Sequence, residues 1–365
     1  MRHLAFSTIF LATSLVVIAP GCSKSGKDAD AEQAKGAADA KPADAAKSAA
    51  TANPADAGAE AIARPEAGGG PAVAAAAHDA GQGPFAAALA LVPEQVEFMV
   101  GLSPKAIHAS PFYAMVAKEL AEDPQFRDAL ASFKECGIDP SKLDAVVIGF
   151  NQSEEFMVVV GGEAIGEDAK ATCVIGTIQK QAGEGATATV VTEDGRKQIE
   201  FSDGRAYLVN DQTLALTSTA WQPAVTELIN GKGTPAFTGN KRELFAKVDT
   251  GASVWGVAAV PSEFAAMAGM LGLPPELSGL QGLTGSVDLS TGVGVSVLGT
   301  FDGPQKATAV ATQLQSQLAA IAPAVPAELA GVVKTIKIEA READLALTMS
   351  ATVAELMAAK NVAPQ

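Results

Sequence analysis

Lys170-Ala171-Thr172-Cys173-Val174 comes back later in the chain as Lys306-Ala307-Thr308-Ala309-Val310. Each copy follows an apolar, strand-like run that ends at or near a Val-x-Gly: residues 156–162 before the first, 293–299 before the second. Two further matches keep the same order. Leu214-Ala215-Leu216-Thr217 recurs as Leu345-Ala346-Leu347-Thr348, each ahead of a helix-like segment, 221–229 and 353–359. Upstream, 96–102 followed by Ser103-Pro104 matches 253–260 followed by Pro261-Ser262. Chance supplies one four-residue match in an Ala-rich chain. Three collinear matches in like contexts point to duplication. The sequence therefore predicts two copies of one α+β unit, residues 85–231 and 251–360, joined by a connector over 232–250.

Each unit reads as strand, helix, two strands, helix, strands. Ser103-Pro104 and Ser110-Pro111 place a capping hydroxyl before a proline at the first helical position. Phe112, Met115, Val116 and Leu120 then share one helical face. Strands follow over 143–150 and 155–161, with counterparts at 283–289 and 292–300. In the second copy Val310, Leu314, Leu318 and Ile321 form a helical stripe, and Val174 and Ile178 hold the equivalent places in the first. Asp194-Gly195 and Asp203-Gly204 mark tight hairpin turns. The first copy is thus expected to carry one extra hairpin, 187–191 with 198–201. The layout resembles a ferredoxin-like unit. That resemblance implies a mainly antiparallel sheet with helices on one face, twice over, side by side. The seam between the units is the expected place for a binding surface.

The first residues have a different logic. Arg2, an apolar run from Leu4 to Ala19 and the small residues before Cys22 have the layout of a secretory signal. Ala19-Pro20-Gly21-Cys22 resembles the lipobox of bacterial lipoproteins, and the folded part resembles lipoproteins of GC-rich bacteria. The resemblance implies a signal peptide over 1–21, cleavage after Gly21 and a lipidated Cys22 at the new N-terminus. Ala19 stands where Leu, Val or Ile is usual. Ala19 and Gly21 also suit ordinary signal-peptidase cleavage, which would leave Cys22 as a free or disulfide-bonded thiol. Ser23 after the cysteine favours the outer over the inner membrane by the sorting rule of enterobacterial lipoproteins. Residues 22–84 are Ala, Gly, Asp, Lys and Pro with almost no large apolar side chain. Such a composition cannot offset the entropy of ordering, so a disordered tether is expected.

The formal net charge of −15 argues against nucleic acid, which needs clustered cations. His108 is the single histidine of the expected folded part, so a multi-His metal site is excluded there. A Ser-His-Asp triad would have to use His108. No G-x-S-x-G, P-loop or G-x-G-x-x-G occurs. No cofactor is implied. Cys136 and Cys173 are a candidate disulfide pair for an exported protein. The rival reading buries Cys173 as an inert thiol on a sheet-facing helix, in the place of Ala309. The sequence thus points to a non-enzymatic module tethered to the envelope membrane through Cys22, either binding an envelope protein partner or giving structural support. The alternative is a carrier or sensor of an apolar small ligand held between the units. That alternative is motivated by the Met- and Ala-rich stretch 264–273, since Met suits adaptable apolar sites.

Overall fold

The structure, a computed structural model, describes residues 83–181, 188–201, 203–261 and 275–360. Cys22, the tether up to residue 82 and the stretch 264–273 lie outside the described residues, as does Thr187 of the expected extra hairpin. Among the described residues no helix is long and apolar enough to cross a membrane.

The fold is α+β, built on one large antiparallel sheet. Its strands are β1 (Phe98–Leu102), β2 (Leu143–Phe150), β3 (Phe156–Gly162), β4 (Val190–Glu193), β5 (Arg196–Phe201), β6 (Gly204–Asn210), β7 (Thr213–Ser218), β8 (Val254–Ala259), β9 (Leu280–Asp288), β10 (Gly292–Phe301), β11 (Lys337–Arg341) and β12 (Asp344–Thr352). The helices are α1 (Ala86–Leu89), α2 (Pro104–His108), α3 (Pro111–Glu122), α4 (Pro124–Glu135), α5 (Asp168–Gln181), α6 (Gln222–Ile229), α7 (Arg242–Phe245), α8 (Pro304–Ile321), α9 (Ala330–Thr335) and α10 (Val353–Lys360).

The twelve strands hydrogen-bond in the order β11-β12-β10-β9-β8-β1-β2-β3-β7-β6-β5-β4. Outward from the β1–β8 junction, one half runs β1-β2-β3-β7-β6 and the other β8-β9-β10-β12-β11. The first half then adds the hairpin β4–β5, closed by Asp194 and Gly195, both at positive φ. Asp and Gly accept that left-handed backbone more readily than most residues, which is why this pair makes the two-residue turn.

Three expectations need correction. The halves are not separate sheets laid side by side, because β1 pairs directly with β8, Met99 lying opposite Val257. Nor are the strands interleaved as in a ferredoxin-like unit. β1 pairs with β2 and β8 with β9, so no strand enters between those that flank the first helical region of each half. Finally, the helices do not keep to one face. Side chains alternate along a strand, and the register divides the first half's apolar residues between two cores. Met99, Val147, Val159, Ala215 and Trp255 lie on one face, with α1, α6 and α7 supplying Leu89, Val225 and Phe245. Val160, Leu214, Ala206 and Ile199 lie on the other, beneath Ala171, Val174 and Ile175 of α5. The physical reason is that β7 has no side left for solvent: all six residues of Thr213–Ser218 are buried.

The second half has one main core, on the face that α5 also covers. Ala307, Val310 and Ala311 of α8 pack there on Phe301, Ile338 and Leu345. Ala171 and Ala307 are both fully buried, and Val174 and Val310 nearly so. Ala309, by contrast, is exposed, so the expected match with Cys173 as a sheet-facing residue fails.

At the junction a Trp replaces what backbone approach would otherwise provide. A Cβ on Gly101 would fall 2.1 Å from the ring of Trp255 across the pair. Only glycine leaves that ring its place, where Phe85 and Phe245 meet it edge-on at 5.4 and 5.7 Å. This T-shaped set is a favourable aromatic geometry, and it closes one face of the seam.

Candidate functional site

The two faces of the seam differ. On the Trp255 face, Met99, Val147 and Val257 are at most 3% exposed. On the opposite face the same strands present Phe98, Val100 and Leu102 of β1, and Val146, Ile148 and Phe150 of β2, all of them half-buried. Across the junction the row continues through Ala258 of β8, Leu283 and Val287 of β9, and Val295 and Val297 of β10. Leu283 is 40% exposed. The register puts these side chains on one surface, and none of them is charged. An apolar floor therefore spans both halves without being closed off.

Helix α3 is the roof. Ser110 starts it by accepting a hydrogen bond from the Tyr113 amide at 3.0 Å, with Pro111 in the first turn. The helix approaches β10 and α10 in the second half. Its expected apolar face, Phe112, Met115, Val116 and Leu120, is only half-buried, and no residue of the helix is buried. Apolar side chains on both roof and floor thus retain solvent contact. That arrangement can take up an apolar partner surface or chain by finishing a burial the protein leaves incomplete.

Behind the roof stands the disulfide. Cys136, just beyond α4, is bonded to Cys173 of α5, with Cα atoms 5.4 Å apart. The bond ties the α3–α4 segment to the helix packed on the first half, beside Ile138, Leu143 and Ile175. Cys173 is therefore not an inert thiol. His108, at the end of α2, lies against Tyr113 with ring centroids 4.5 Å apart and is exposed. Among the described residues no group of three His, Cys, Asp or Glu side chains could hold a metal ion.

One buried cation has a structural post. Lys241, 5% exposed, donates to the Glu94 carbonyl at 2.8 Å and to Asn240 Oδ1 at 3.1 Å. Burial lowers its pKa, against the opposing pull of the Glu94 and Glu97 carboxylates. It fastens the segment before β1 to the segment before α7, where Ala236 also donates its amide to the Val92 carbonyl.

Sequence reasoning pointed to the seam and to the apolar face of α3, but not to the floor. The signal for it was present. Phe98-Met99-Val100, Val146-Val147-Ile148 and Val158-Val159-Val160 are apolar at both parities, the pattern of strands with apolar side chains on both faces.

No family model matches this sequence, and no curated protein matches it. Solved structures do align. Crystal form III of TP0453 does so with a TM-score of 0.44 at 9% identity, over 74% of this chain and 96% of that chain. Crystal form IV of TP0453 gives a TM-score of 0.44 at 11% identity, over 75% of this chain and 95% of that chain.

Proposed function

We propose that this chain is a non-enzymatic binding module of the bacterial cell envelope. In this reading Cys22 carries the lipid, the outer membrane is the favoured site, and the sheet domain presents its apolar floor to an envelope protein. One observation carries the reading: the uncharged, half-buried row from Phe150 through Val100 and Leu283 to Val297, beneath a helix that buries none of its residues. Monomeric proteins seldom leave broad apolar patches exposed unless a partner uses them. The two halves are read as copies of one ancestral unit, supported by the shared outward strand order and by the recurring Lys-Ala-Thr segment. A duplicated unit joined through its first strands makes the floor continuous, with twice the width of one copy.

The test is site-specific photocrosslinking in native envelopes. A crosslinker at Leu283 should give a defined protein adduct, and one at Ser350, on the other face, should not. Val100→Asp should abolish the Leu283 adduct while Cys22 remains lipidated by mass spectrometry. No adduct from Leu283, or the same adducts from both positions, would sink the reading.

A second reading has its own support. The half-buried α3 face of Phe112, Met115, Val116 and Leu120 opposes the floor, and an apolar small ligand inserted there would bury both. Its distinguishing result is a lipid adduct at Leu283 in place of a protein.

A further inference from the structure

The two halves differ again at the far ends of the sheet. In the first half α5 packs on β6 and also on β5, the extra strand beyond it. Ile199 of β5 is fully buried there. In the second half α8 packs on β11 and β12, but β11 is the edge strand and, among the described residues, no strand takes the place of β5. What remains is an open groove of about 390 Å³ between α8, α9 and β11. Leu318, Ala319, Ala322, Val333 and Ile336 line it. Ile321, 57% exposed, stands next to Ala322.

Two polar groups set its chemistry. Gln315 donates Nε2 to the Ile338 carbonyl at 2.7 Å, which satisfies the edge backbone within the groove. Lys334 brings the one charge in the lining, and no carboxylate pairs with it among the described residues. An apolar slot with a single ammonium group suits a chain that is apolar along its length and anionic at one end. The volume falls in the lower part of the roughly 300–1,000 Å³ range of small-molecule sites. It lies four strand positions from β8, about 19 Å at ordinary strand spacing. It is therefore distinct from the seam floor, and the inference stands independently of the proposed function.

We infer that the groove between α8, α9 and β11 binds a free long-chain fatty acid, its acyl chain along Leu318, Ala322 and Val333 and its carboxylate on Lys334. The acyl chain takes the space that β5 fills in the first half. The ammonium–carboxylate contact selects the acid over its ester, because an ester has no charge to present.

Calorimetric titration with palmitate, below its micelle concentration, tests this on the purified chain. Palmitate should bind the wild type, and methyl palmitate about tenfold more weakly, as expected for loss of one charge-assisted contact. Lys334→Met should weaken palmitate to the level of the ester and leave the ester unchanged. Ala319→Trp, at an exposed lining position, should abolish both without moving the thermal melt. Equal binding of acid and ester, or palmitate binding that survives Ala319→Trp, would overturn the inference. So would no binding at all. Binding that survives Ala319→Trp but is lost in Leu283→Asp would place the acyl chain on the seam floor, overturning this site while favouring the second reading above.

Discussion

The two halves of the sheet share a strand order and differ in how many faces they close. The first half holds buried layers on both sides, so that Leu214 and Ala215, neighbours on β7, are each fully buried in opposite cores. The second half closes one side over Phe301, Val310 and Leu345. Its other side presents Ser286, Ser296 and Thr348 in register across three strands, small and polar residues that need no cover. The lesson is that strand order is set by backbone pairing, whereas layering is set residue by residue by what each parity carries. Two copies of one plan can therefore diverge into a three-layer and a two-layer structure without moving a strand.

The sharpest way to break this comparison is to cut equivalent side chains from each half. Leu214→Ala should cost about 3–4 kcal/mol in urea denaturation, the usual cost of emptying a sealed leucine site. Leu345→Ala, at the matching position of the second half and 9% exposed where Leu214 is sealed, should cost less. Equal losses would mean that the second half is as closely layered as the first.

Reduction of the Cys136–Cys173 bond comes next. It belongs only to the first half and should lower stability by roughly 2–4 kcal/mol through the freed unfolded chain. Because β1 and β8 are paired, the melt should shift as one transition. A split into two transitions would show that the halves fold independently and that the continuous sheet couples them weakly.

The smallest effect concerns Lys241, between the halves. Its native pKa lies below the unfolded value of 10.5, so in the alkaline window between them the unfolded chain binds more protons. Stability should then rise with pH across that window. Lys241→Met should flatten the rise. An unchanged slope would assign it to other groups.

Much of the architecture was legible in particular residues. Asp194-Gly195 could be read as a turn because few other pairs accept that backbone, and Ser110-Pro111 as a helix start because the cap is local chemistry. Val310, Leu314 and Leu318 could be read as a sheet-facing stripe from helical period, and they do pack on the second half's core, whereas Ile321, counted with them, is 57% exposed. The layering was harder to read. Thr213–Ser218 alternates like a half-solvated strand, yet it is buried throughout, because α5, from well upstream, covers one side while α6, which follows β7 directly, folds back over the other. The β1–β8 pair is likewise non-local, and nothing in Phe98–Leu102 names its second neighbour. Gly101 and Trp255 show the same limit: each looks ordinary until the register sets one upon the other. The candidate floor was legible as apolar runs, but its incomplete cover depends on how α3 sits, which no local pattern specifies.

The central position of β1 has a mechanical consequence. Tension applied at the N-terminal end passes through the Phe85–Val96 segment into a strand flanked on both sides, by β2 and β8. Pulled along its axis, β1 must shear two ladders at once, with the ring of Trp255 wedged over Gly101 resisting the slide. A load on the C-terminal end enters at α10 and β12, which is likewise flanked on both sides, by β10 and β11. Either end of the sheet domain is thus held by two ladders at once.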